Sequence, residues 1–262
     1  MTIWKKTIGR VAFINCDPLF YGLDDSWNVL SSPPSWLTKH VLNKDCVIAP
    51  IPTAGYALNH EELVLIPDIG ICSNGEVGSV LVFGNKEIKD MNSIAMPSDS
   101  SSSVNLLRWW LKENGMNPEE VSMGPHLENM LNECDGALLI GDRALQSARG
   151  NSELVKLDLG KAWQDSTGKP MVFGVFVARK DTPVKDLKAA HNALINQLEL
   201  FESDSDYKRE VVNNASEHSS LSHQRLSDYF NEVFNRLDDA HIEGLEHYLE
   251  LVFGIENIEF AW

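Results

Sequence analysis

The sequence predicts an α/β protein with largely parallel sheets and a helical C-terminal segment. Three observations predict it. Short runs rich in Val, Ile and Leu alternate with helix-like patterns as far as about residue 178, and that alternation is the mark of βαβ units. Beyond Arg179 the apolar residues recur at helical spacing instead. The apolar fraction is 43% and the charged fraction 23%, which supplies a sizeable core and excludes a disordered chain.

Taken in order, the first strand is "GRVAFI" at 9–14, and "PSWLTKHVLN" at 34–43 has helical spacing. Strands follow at "CVIAP" (46–50), "ELVLIP" (62–67), "GSVLVFG" (78–84) and "SIAMP" (93–97). A polar turn then leads into a helix over 104–114, which Gly115 stops. Two more strands are "GALLIG" (136–141) and "MVFGVFVAR" (171–179). The tail reads as helices over 184–201 and 226–254, with "ESDSD" (202–206) as a polar break. No internal repeat is present. Seven strands fit one doubly wound domain or two smaller lobes around a cleft, and the length of 262 residues allows both.

The net charge is −16, from 22 Lys and Arg against 38 Asp and Glu. Such a field disfavours nucleic acid and anionic membrane as partners. An anionic ligand would need a local site that opposes it. Cys16, Cys46, Cys72 and Cys134 are scattered without metal spacing and read as reduced, buried thiols. "MTIWKKTIGRVAF" at the start has no apolar stretch with a cleavage site, and no run approaches membrane-spanning length. These features point to a cytoplasmic protein. The eight histidines are dispersed, and no Walker loop, G-x-G-x-x-G, G-x-S-x-G or H-E-x-x-H occurs.

"PSDSSSSVNLLRWWL" (97–111) puts five serines between a strand and a helix. One would suffice as an N-cap. A strand, a tight polar turn and a helix N-terminus also make an anion site, because orphan N–H groups and the dipole's positive end point outward. Three further stretches stand out: "IGRVAFINCDPLFYGL" (8–23), "IPDIGICSNGEVGSVLVFG" (66–84), and "DGALLIGDRAL" (135–145) combined with "DLGKAWQDSTGKPMVFGVFVAR" (158–179). Together with the serine run they resemble the chorismate dehydratase family of the futalosine route to menaquinone, over about residues 8–180.

The resemblance implies the two-lobed, type II periplasmic solute-binding-protein-like fold, with the ligand cleft between lobes. Lobe one would be 1–81 plus 176–262 and lobe two 82–175, with crossings near Val82 and Val175. It also implies a lyase that converts chorismate to 3-enolpyruvylbenzoate and water, with no metal or redox cofactor and a small dicarboxylate as partner. A sister enzyme, 1,4-dihydroxy-6-naphthoate synthase, begins with a Ser-Pro-Cys-Pro-Asn-Asp-Thr type motif where this chain has "INCDPLF". A non-catalytic module binding a small carboxylate is the remaining alternative.

Residue by residue, Asn15 matches the family's strand-end Asn, an amide able to donate or accept at the reacting centre. Ser79 matches a family Ser at the lobe junction. Ser102 and Ser103 match helix-start hydroxyls that would both cap the helix and hold a carboxylate. Thr53 opens another helix start and would bind the second carboxylate. Asp142 would cap the helix after "LLIG", serve as a base, or meet the substrate. Ser166, Met171 and Arg143 depart from the family's usual residues, which bears on the pocket's shape. No His, Lys or Glu near these motifs suits a general base. The substrate's own enolpyruvyl carboxylate could then take the ring proton.

Overall fold

A computed structural model describes residues 3–262; Met1 and Thr2, with which the expected first lobe begins, lie outside them. The chain opens with β1 (Thr7–Val11), α1 (Asp17–Phe20), β2 (Asn28–Ser32), α2 (Pro34–Leu42), β3 (Ala49–Pro52), α3 (Thr53–Ala57), β4 (Leu63–Ser73) and β5 (Val80–Gly84). Next come β6 (Ser93–Pro97), α4 (Ser102–Glu113), β7 (Glu119–Met123), α5 (Leu127–Glu133), β8 (Gly136–Ile140), α6 (Gly141–Gly150), β9 (Val155–Asp158) and α7 (Leu159–Thr167). The last elements are β10 (Met171–Arg179), α8 (Val184–Ser203), α9 (Ser205–Glu217), α10 (His223–Glu232), β11 (Phe234–Leu237) and α11 (Asp239–Phe253).

Two main sheets result. One has the order β11-β4-β10-β3 and the other β7-β6-β8-β5-β9, with β1 and β2 forming a parallel pair beside the first. A backbone bond from Gly9 N–H to Ile48 C=O, 2.8 Å, joins β1 to the segment entering β3. The chain passes from one sheet to the other between β4 and β5 and returns between α7 and β10. Val82 pairs with Leu138 and Val175 with Ile51 and Gly70. Both expected crossing points therefore lie mid-strand, and the passages fall earlier, at 74–79 and 168–170.

Two other expectations are corrected. The sheets are mainly antiparallel, since β10 runs against β3 and β4, β11 against β4, and β5 against β8 and β9. Among the described strand pairs, β1–β2, β6–β7 and β6–β8 are parallel. The strands that carry the chain between lobes reverse the local direction, which periodicity cannot reveal. Strands also do not stop at Arg179: the expected helix over 226–254 is interrupted by β11, whose Asn235 amide donates to Gly70 C=O at 3.2 Å. Asp238 then caps α11 through His241 N–H, 3.0 Å, and restarts the helix.

The five-stranded sheet shows the expected two-face alternation. Val80 and Val82 join the large core that also contains the four-stranded sheet, while Leu81 and Phe83 join a smaller cluster with Met130 and Leu139. Trp163 of α7 is fully buried between Trp109 of α4 and Tyr248 of α11, with ring centroids 5.0 and 5.7 Å away. Its indole N–H donates to Pro170 C=O at 3.1 Å, so the return passage is pinned where it leaves α7. Asp158 pins the outward passage. Its carboxylate accepts from Val77 and Gly78 N–H and also caps α7 through Gly160 and Lys161 N–H. No described helix is long and apolar enough to cross a membrane.

Candidate active site

The two sheets meet at a cleft of about 530 Å³, mouth included. The turn after β1 contributes Phe13 and Asn15, the outward passage Val77 and Ser79, and the loop and first turn of α4 Ser100, Ser102 and Ser103. Gly141 at the start of α6 and Phe173 of β10 complete the aromatic side. Gly141 is required there: its φ is +60° and a Cβ would come within 2.7 Å of the Phe13 ring. Among the described residues lining the cleft, none is ionisable. Apolar walls with a few neutral polar groups are the usual make-up of a small-molecule site.

The charges stand behind the walls. Arg10 and Asp17 form an ion pair on the β1 side, and Arg143 and Asp99 form another on the α4 side. The Arg143 guanidinium also lies over the Phe13 ring, 5.5 Å from its centroid. Asp142 accepts from Ile14 N–H at 3.1 and 3.3 Å, bridging the start of α6 to the turn that carries Asn15. Burial pushes the Asp17 carboxyl up to about 6, against the pull of Arg10. Burial likewise pushes Asp142 up to about 6, opposed by the Ile14 N–H and by Arg143 and Arg10.

Asn15, Ser79, Ser102 and Ser103 are thus brought together at one cleft. All four are buried, and Asn15 Oδ1 has no hydrogen-bond partner among the described residues. Ser79 Oγ lies 3.1 Å from the Tyr229 hydroxyl. Thr53 is not in the lining; its hydroxyl donates to Val172 C=O at 2.6 Å and ties α3 to β10. Asp142 does not line the cleft either, and it is no cap: Ile140 holds that position, and the carboxylate serves the neighbouring turn instead.

The serines also do not cap their own helix. Ser101 is the N-cap, in αR geometry (φ −98°, ψ −40°), with no side-chain cap bond, because a capping side chain reaches back only from an extended backbone. Ser102 Oγ instead accepts from Ala54 N–H at 3.1 Å, linking the starts of α4 and α3, and Tyr248 donates to Ser102 C=O at 3.0 Å. Of the departures from the family pattern, Ser166 donates to Ala162 C=O at 2.8 Å within α7 and Met171 is core. Neither is in the cleft lining. Only Arg143 stands next to it.

Several contributors escaped the motif reading. Asp158 sits in the quoted "DLGK" stretch, where Asp before a helical run is an N-cap signature. Gly141 lies at a strand-to-helix junction, a recognised place for a positive φ. Tyr229 carried no signal, because a tyrosine on an amphipathic helix looks like core.

A two-lobed α/β frame with its ligand cleft where the sheets meet has the periplasmic-binding-protein-like fold. The solved structures agree. A protein from Archaeoglobus fulgidus matches with a TM-score of 0.76 at 18% identity, covering 94% of this chain and 95% of that one. The periplasmic aliphatic sulphonate binding protein of Escherichia coli matches at 0.67 and 12% identity, covering 95% and 86%. The chorismate dehydratase of Thermus thermophilus is 28% identical over 192 residues, 67% of this chain and 70% of that protein. The menaquinone biosynthesis family matches residues 6–253, and the chain belongs to it.

Proposed function

We propose that this protein is a chorismate dehydratase, a hydro-lyase that converts chorismate to 3-enolpyruvylbenzoate and water in menaquinone biosynthesis by the futalosine route. The observation that carries the reading is a cleft whose described lining is free of ionisable side chains yet includes the Asn15 amide and several serine hydroxyls. The dianionic substrate needs donors without a competing carboxylate, and the α4 N-terminus with Ser102 and Ser103 supplies them. Asn15 and Ser79 would act at the reacting centre, orienting the ring and stabilising the departing hydroxyl.

The substrate's enolpyruvyl carboxylate takes the ring proton, the ring hydroxyl leaves, and aromatisation drives the step. Nearby protein carboxyls are ill suited as the base. Asp17 is paired with Arg10, and Asp142 faces Ile14 N–H. The four free thiols are all buried, which suits a reducing, cytoplasmic setting. The likeness to a sulphonate-binding protein favours a second reading, a module that binds a small anion without turning it over. Purified protein incubated with chorismate separates the two. Formation of 3-enolpyruvylbenzoate without added metal or nucleotide, and undiminished by chelator, is the expected result. Chorismate binding without product would favour the binding module, and a rate abolished by chelator would overturn the cofactor-free step.

A further inference from the structure

We propose that Tyr229 is a positioning residue for Ser79, holding the serine hydroxyl so that its proton turns into the cleft. This rests on reading the cleft as a chorismate-dehydrating site. Tyr229 is fully buried on α10, and its hydroxyl lies 3.1 Å from Ser79 Oγ. The Ser79 main chain is already fixed. Its C=O accepts from Gly141 N–H at 2.7 Å, and the preceding Gly78 N–H donates to Asp158 at 2.8 Å. Rotation of the serine hydroxyl is the freedom that remains.

Two arrangements of the pair are conceivable. If Ser79 donated to Tyr229, the phenolic proton would be left without a partner in a buried site, which costs more than a neutral hydrogen bond gains. If Tyr229 donates, both needs are met: a phenol is the more acidic donor and an alkyl hydroxyl the better acceptor. Ser79 then has its lone pair engaged and its proton free, and the open side of Ser79 is the cleft. Burial drives the phenol's pKa upward, so it stays a donor across the working pH range. Arg225, whose guanidinium is 5.8 Å from the phenol ring centroid and paired with Glu232 at 2.8 Å, sharpens that donor. A chain of hydrogen bonds polarises its members in one direction. The serine proton therefore meets the oxygen that leaves the substrate ring.

The test is a double-variant cycle on chorismate turnover with wild type, Tyr229→Phe, Ser79→Ala and the pair together. Tyr229→Phe should lower kcat about tenfold with KM changed less than about twofold, the size of one neutral hydrogen bond. Ser79→Ala should lower kcat by about 10²–10³-fold, and adding Tyr229→Phe should slow it no further. Independent tenfold losses, or an unchanged kcat in Tyr229→Phe, overturn the inference. Should that variant fail to fold, 3-fluorotyrosine at 229 keeps ring and hydroxyl. It should raise kcat when Ser79 is present and change nothing in Ser79→Ala; equal effects in both overturn the inference. If wild type binds chorismate in calorimetry without turnover, the same cycle is read on Kd with the same expectation of non-additivity. Wild type that neither turns over nor binds chorismate overturns the reading of the site and this inference with it, whereas turnover with additive effects overturns the inference alone.

Discussion

The cleft is walled by two strand-to-helix turns, one after β1 and one after β6, and they solve the same problem differently. Each carries an acid and gives it an arginine behind the wall: Asp17 with Arg10, Asp99 with Arg143. Each turns neutral polar groups inward. The β1 turn, however, has spent its free N–H, because Ile14 donates to Asp142. It leads into a helix of only four residues, and it offers the cleft one side-chain amide. The β6 turn opens a twelve-residue helix with no side-chain cap, and its first residues Ser102 and Ser103 line the cleft; such a helix start carries orphan N–H groups and the positive dipole end. Under the proposed function, one wall would touch a reacting atom and the other would hold a charge. Keeping acids paired outside would let a chain of net charge −16 accept an anion.

The sharpest way to break this comparison is at Asn15. Asn15→Ala should cut chorismate turnover by about 10²–10³-fold, the amount assigned to one preorganised donor. Asn15→Asp keeps the shape but sets a charge against the dianion, so steady-state kinetics should find it no better than Ala. A fully active Asn15→Asp would mean that a protein base works there and would end the substrate-as-base scheme.

The buried acids give the next largest effect. Asp142 titrates at about 6 in the fold against an ordinary 3.8, so between those values the folded chain binds more protons than the unfolded chain. Its ionisation therefore costs stability as pH rises through that window, up to about 3 kcal/mol above pH 6. Asp142→Asn keeps an acceptor for Ile14 N–H and removes the titration. Urea unfolding should show the variant gaining on wild type from pH 4 to pH 7, and a gap that stays flat would place Asp142 in solvent.

On the other wall, Ser103→Ala should weaken chorismate binding by about 1.5–3 kcal/mol, the worth of a charge-assisted bond. Its melting temperature should stay near wild type, since Ser103 caps nothing. Lost stability with unchanged affinity would make that wall structural. Ser102→Ala should do the reverse in part. It orphans the buried Ala54 N–H and should cost about 1–3 kcal/mol in chemical denaturation. A variant as stable as wild type would show that the α3–α4 contact carries no energy.

Much of this was legible beforehand, and the exceptions share causes. Expected strands such as those at 93–97 and 171–179 coincide with β6 and β10, because central strands are continuous apolar runs. The four strands that went unread, β2, β7, β9 and β11, all lie at sheet edges. "EEVSM" and "VKLD" are half polar, as an edge must be to avoid pairing with another chain. At the site, Asn15, Ser79, Ser102 and Ser103 line one cleft, whereas Thr53 and Asp142 are turned to other partners. A side chain that begins a helix reads the same from sequence whether it faces a ligand or a neighbouring carbonyl.

By itself the amino-acid order determined the α/β class, the interior of both main sheets and the polar turns at their ends, because hydrophobic periodicity and turn chemistry are local. The tertiary structure alone decided the antiparallel direction of the crossing strands, the conversion of 234–237 from helix to strand, and the pairing of Tyr229 with Ser79 across 150 positions. Those outcomes depend on which distant backbone or buried group lies opposite, and a hydrogen bond in a dry interior outweighs any local preference of the residues that make it.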